Sequence, residues 1–123
     1  MMRWQTTMAR VFPHGGWRWI FVGNGLLLAL AWAVPFFWLA PRAEPGALIP
    51  LHYNVHLGVD YAARWFVALW IPAFATAVFA ANTVIGMRVR SFSATLDHIL
   101  RAGALTVAFL VLIAFFFILV ANA

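Results

Sequence analysis

A chain of 123 residues that is 66% hydrophobic and only 9% charged is not an ordinary soluble domain. Its eight basic residues are all Arg and outweigh three acids for a net charge of +5. They sit at the ends of apolar runs or in short connections, where lipid headgroups take such charge, so the excess is no sign of nucleic-acid binding. The absence of Cys excludes disulfides and thiolate metal sites.

Three runs fenced by arginine follow one another: residues 19–41, 65–87 and 102–123 contain no Asp, Glu, Lys or Arg. A helix rises ~1.5 Å per residue and the hydrocarbon core is ~30 Å thick, so about 20 apolar residues reach across. The expected fold class is therefore an all-α integral membrane protein, a single domain with three transmembrane helices running up, down and up.

Before the first run, Trp4, Met8, Val11 and Phe12 recur at helical spacing ahead of Pro13 and the Gly15-Gly16 pair. Residues 1–18 read as an interfacial segment on the cytoplasmic face, with an unstructured tail as the alternative. A cleaved signal peptide is a rival reading, because Arg3, Arg10 and Arg18 precede an apolar run and Ala29-Leu30-Ala31 resembles a cleavage site. The run continues through Trp32, Val34, Phe36, Phe37 and Leu39, a length that favours an uncleaved anchor.

The first and second runs each carry a ladder of small residues: Gly25, Ala29 and Ala33 in one, Ala73, Ala77 and Ala81 in the other. Matching the flanking arginines puts these ladders at one depth, and small residues let helices approach closely in lipid, so the two faces are expected to touch. Asn24 and Asn82 fall level with each other and, with Thr106, are the intramembrane polar residues to account for. Each is read first as a structural group bonded to backbone; a proton or ion path is the sharper alternative. Pro35 and Pro72 each remove a helical N–H and predict kinks, with Thr76 placed to satisfy a freed group. The third run, with Phe115, Phe116 and Phe117 and almost no polar residue, reads as lipid-facing on most sides.

Residues 88–101 form the second connection, in which Asp97 and Arg101 can pair at i,i+4. Ser91 or Ser93 could cap a helix, and the plain reading is that the third helix begins early, near Ser93. Six arginines (3, 10, 18, 88, 90 and 101) lie at one membrane face and two (42 and 64) at the other. Short basic segments stay inside, which puts the N-terminus in the cytoplasm, residues 42–64 outside and the C-terminus outside a cell membrane.

Residues 49–60, IPLHYNVHLGVD, are the densest polar cluster. As a helix they would line up His52, His56 and Asp60 on one face, a set suited to zinc. Pro50, Asn54 and Gly58 favour turns instead, and imidazoles also serve structurally. The alternatives are a packed structural loop, a metal site and a recognition surface.

The pattern Pro50-x-His52-Tyr53-Asn54, followed by Gly58 and Asp60, resembles the loop of a bacterial membrane family of unknown function. That family carries Pro-x-His-Phe/Tyr-Asn, then Gly and an acid, between its first two spans, and occurs in Sdp-type toxin-immunity and signalling membrane proteins. The resemblance covers about residues 20–85 and implies a membrane protein with an external loop as its working part. His56 is not part of the pattern, and this chain has three spans where immunity-type members are longer.

The leading expectation is a small non-enzymatic membrane protein that acts by contact, as an accessory subunit or a sensor or immunity-like factor, through the 49–60 loop. Its partners would be the bilayer and another membrane protein or a second copy of itself, with no cofactor. One alternative is a homo-oligomeric channel or transporter lined by Asn24, Asn82 and Thr106. Another is a metal-dependent membrane enzyme at the external loop.

Overall fold

The computed structural model describes residues 17–123. The interfacial segment expected from Trp4, Met8, Val11 and Phe12 lies outside the described residues. Three helical runs are long and apolar enough to cross a bilayer: Arg18–Arg42, Trp65–Val89 and Ala94–Ala121.

Helix α1 (Trp17–Val34) passes into a π turn at Pro35–Leu39 and closes with a last turn at Ala40–Arg42. A 3-10 segment, Trp65–Leu69, leads into α2 (Trp70–Val89). Its Pro72 lies in the first turn of the α-helix, where a missing N–H disturbs least. Helix α3 spans Ala94–Ala121. Ser93 caps it by accepting from Leu96 N at 3.2 Å, so the second connection is much shorter than 88–101. Residues 94–101 are helix, as an early start near Ser93 leads one to expect.

The departure from an all-α chain lies between α1 and α2. Strand β1 (Ile49–Asn54) pairs antiparallel with β2 (Gly58–Ala63), Ile49 opposite Ala63 and Asn54 opposite Gly58. The ladder is irregular between Pro50 and Tyr53, where the ring of Pro50 offers no N–H.

Each helix buries one seam stepped alternately by four and three residues, the spacing of closely packed helix bundles. On α3 the buried residues are Asp97, Arg101, Ala104, Ala108, Val111, Phe115 and Ile118. On α2 and its 3-10 lead the seam is Ala68, Pro72, Ala75, Phe79, Asn82 and Gly86, with Phe79 and Asn82 half-buried. On α1 it is Asn24, Leu28, Ala31 and Pro35, then Leu39. The step of four from Pro35 to Leu39, where three is due, is the work of the π turn. Ala40 N–H bonds to Pro35 O, five residues back, and the extra residue carries Leu39 rather than Trp38 into the core.

Helix α3 packs along both other helices and is the centre of the bundle through one buried seam; more than half of its residues, Phe116 and Phe117 among them, stay exposed on its other sides, while Phe115 is buried. Helices α1 and α2 meet along one flank through longer side chains. Trp32 Nε1 donates to Thr76 Oγ1 at 3.0 Å, and the Phe21 and Phe79 rings stand 5.3 Å apart. The predicted ladder contact is therefore corrected. Gly25, Ala29, Ala77 and Ala81 are exposed on the bundle surface and Ala33 and Ala73 are half-buried. A Cβ built on Gly25 meets nothing within 4 Å. A four-residue step drifts around a helix of ~3.6 residues per turn, whereas alternating steps of four and three stay on one face.

Candidate functional site

Polar side chains gather at two places, the hairpin at one end of the bundle and the α2–α3 junction at the other. In the hairpin, each residue of the Pro-x-His-Tyr-Asn…Gly…Asp pattern has a visible structural position. Pro50 O accepts from Asn122 Nδ2 at 2.8 Å, which ties β1 to the end of α3. Ile49 and Leu51 pack against the apolar core. Asn54 Oδ1 accepts from His56 N at 2.9 Å and closes the turn over Val55, His56 and Leu57. Gly58 follows with φ 76°, a conformation that a side chain would penalise. Tyr53 stands opposite Val59 and is exposed.

His52 Nδ1 lies 2.6 Å from Asp60 Oδ1 across the two strands. With a carboxylate as partner, Nδ1 carries the proton, and Nε2 lies outside the pair. Both groups reach solvent, so the pair adds less than ~1 kcal/mol to stability. His56 sits at the turn and bonds through its backbone to Asn54, so the three-residue face of His52, His56 and Asp60 does not form. A hairpin separates what a helix would have aligned. Among the described residues no group of three or more His, Cys, Asp or Glu is placed to hold a metal.

At the other end, Asp97 and Arg101 do pair, with Arg101 Nε donating to Asp97 Oδ1 at 2.7 Å. Both are buried, 0% and 4% exposed, where the spacing announced only that they can pair. Asp97 occupies the first turn of α3, where the helix dipole favours a carboxylate. Its Oδ2 is buried with no hydrogen-bond partner. A Cβ at Gly86 would collide with Asp97 Oδ1, so glycine is what lets α2 close on the carboxylate.

The asparagines belong to the same end. Asn82 Nδ2 donates to Leu100 O at 2.9 Å. With its amide turned to pair both ends, Asn24 donates to Ala104 O at 3.2 Å and accepts from Leu105 N at 3.1 Å. The two therefore share no bond with each other; each ties its helix to the backbone of α3. Thr106 joins neither, being exposed and bonded to Ala102 O of its own helix. Thr76 donates to Pro72 O at 2.8 Å rather than to the carbonyl of Ala68 that the proline ring frees.

Two hollows flank the base of the hairpin. One of about 60 Å³ touches Leu39, Arg42, Ile49 and Asn122, and an open one of about 210 Å³ runs along Glu44, Gly46, Arg64 and Trp65. Both fall below the roughly 300–1,000 Å³ of a typical small-molecule pocket. The buried charged pair is the polar feature that sequence reasoning misplaced. The available signal was the seam itself: steps of four and three from Ile118 back through Ala108 and Ala104 arrive at Arg101 and Asp97. No protein-family model, no curated protein and no solved structure matches this chain.

Proposed function

We propose that this chain is a small non-enzymatic membrane protein that acts by contact, as an accessory subunit or a sensor or immunity-like factor. The hairpin is the contacting element, and the partner is another protein of the same membrane or a second copy. The observation that carries this reading is the division of labour along the chain. The helices spend their polar groups inside the bundle, Asn24 and Asn82 on the backbone of α3 and Asp97 on Arg101 within α3. The hairpin leaves exposed Tyr53, His56 and Tyr61, together with the free Nε2 of His52. The resemblance of its motif to the loop of the Sdp-type family points the same way. The arginine asymmetry supports an N-terminus in the cytoplasm and a hairpin outside a cell membrane.

Native mass spectrometry of the full chain extracted in mild detergent tests this. The expected result is a complex with a second membrane protein or a defined oligomer. A variant whose residues 50–60 are replaced by a Gly/Ser linker should fold its helices and run as a free chain. A wild-type chain that is solitary, or a variant that keeps the complex, overturns the proposal. The channel reading predicts ion flux through liposomes holding the purified chain alone, reduced by Asn82→Leu.

A further inference from the structure

The turn of the hairpin has an unusual composition for a loop in water. Turns are ordinarily built of Gly, Asn, Asp and other polar residues, yet here Val55 and Leu57 flank the tip and are 84% and 77% exposed. Tyr53, Val59 and Tyr61 of the strands are exposed as well. Residues 51–59 contain no Asp, Glu, Lys or Arg, and the acid that follows, Asp60, is engaged by His52. A charge-free, apolar tip is the reverse of how exposed hairpins guard against unwanted association.

The attachment of the hairpin decides what lies within its reach. Strand β2 ends at Ala63 and the 3-10 segment begins at Trp65, so a single residue, Arg64, separates the hairpin from a membrane-spanning helix. Strand β1 is held at its base through Pro50 to Asn122, at the end of α3. Six-residue strands extend about 20 Å. The base is thus fixed at the level where the spans leave the bilayer, and the tip cannot travel far from it. That level is marked by a ring of lipid-facing aromatics, Trp38, Phe66 and Trp70, and by Arg42, whose guanidinium lies 3.6 Å from the Trp38 ring centroid.

We propose that the hairpin lies against the leaflet at its own end of the bundle, with Val55 and Leu57 seated in the phospholipid headgroup zone. Hydrocarbon itself is excluded, because each strand of a two-stranded sheet has one edge of unpaired N–H and C=O groups. The headgroup zone satisfies those groups through water and phosphate while accepting the Val, Leu and Tyr side chains. The inference does not depend on what the hairpin contacts. It constrains that contact, since a partner must reach the hairpin in the plane of the membrane.

The absence of Cys makes single-cysteine labelling direct. Val55→Cys, Leu57→Cys and Glu44→Cys chains carry a fluorophore and are reconstituted alone into phosphatidylcholine liposomes. Quenching is read with iodide in the water and with a nitroxide attached near the headgroup end of the lipid chain. The expected result is several-fold stronger nitroxide quenching and several-fold weaker iodide quenching at 55 and 57 than at 44. Iodide quenching at 55 and 57 equal to that at 44 places the tip in water and overturns the proposal. Shielding from both quenchers places it under a second copy and overturns it too. No other protein is present, so either failure leaves the contact function of the hairpin untouched.

Discussion

Gly86 is the residue on which the α2–α3 contact turns. A methyl group there displaces the Asp97 carboxylate, and the carboxylate cannot yield without lengthening its 2.7 Å bond to Arg101. Gly86→Ala should therefore destabilise the bundle by about 1–3 kcal/mol, as overpacking does. In an Asp97→Ala background the same change should cost little, and thermal unfolding of the four chains in detergent measures the coupling. Equal penalties in both backgrounds would reject the contact. Removing Arg101 alone strands a buried carboxylate, for which ~3–5 kcal/mol is the usual cost. The i,i+4 spacing of Asp97 and Arg101 was readable from the chain; their burial was not, because it depends on the small residue facing them from another helix.

Elements differ in how openly the chain declares them. Unbroken apolar runs announce the spans, and their ends at arginine come within a few residues of the helices observed except at the start of α3, which reaches back past Arg101 to Ala94. The hairpin is declared only by its punctuation. Asn54 and Gly58 read as turn formers, but strand pairing across them depends on a register that no single residue states. The same holds for the π turn, since Pro35 predicts a disturbance without saying that one added residue will bring Leu39 inward. Gly58→Ala should cost about 1–2 kcal/mol for placing a side chain at φ 76°. Amide exchange should then rise across β1 and β2 while α1, α2 and α3 keep their protection. Uniform exchange across all elements would show instead that the hairpin and the bundle unfold together.

For the molecule as a whole, up-down-up order follows from three spans and two connections, whereas the arrangement of the helices around one another does not. The ladders at 25, 29 and 33 and at 73, 77 and 81 share a depth yet face outward, because matching depth says nothing about which way a helix is turned. Helix α3 takes the central place with its own small residues buried, Ala104 and Ala108, the latter in one apolar core with Ala31 and Ala75. The inside-positive distribution of arginine makes its own prediction. A Glu44→Cys chain in intact cells should react with a membrane-impermeant maleimide, and a chain labelled only after the cells are broken would reverse the orientation.

The central position of α3 has a temporal consequence. It is synthesised after α1 and α2, so those two enter the bilayer before the surface that accepts them exists. Until it emerges, the amides of Asn24 and Asn82 have no α3 backbone to bond, and these two helices rest as neighbours joined along a single flank. Assembly of the bundle is therefore a closing step that waits for α3, in which a later spine gathers two waiting helices.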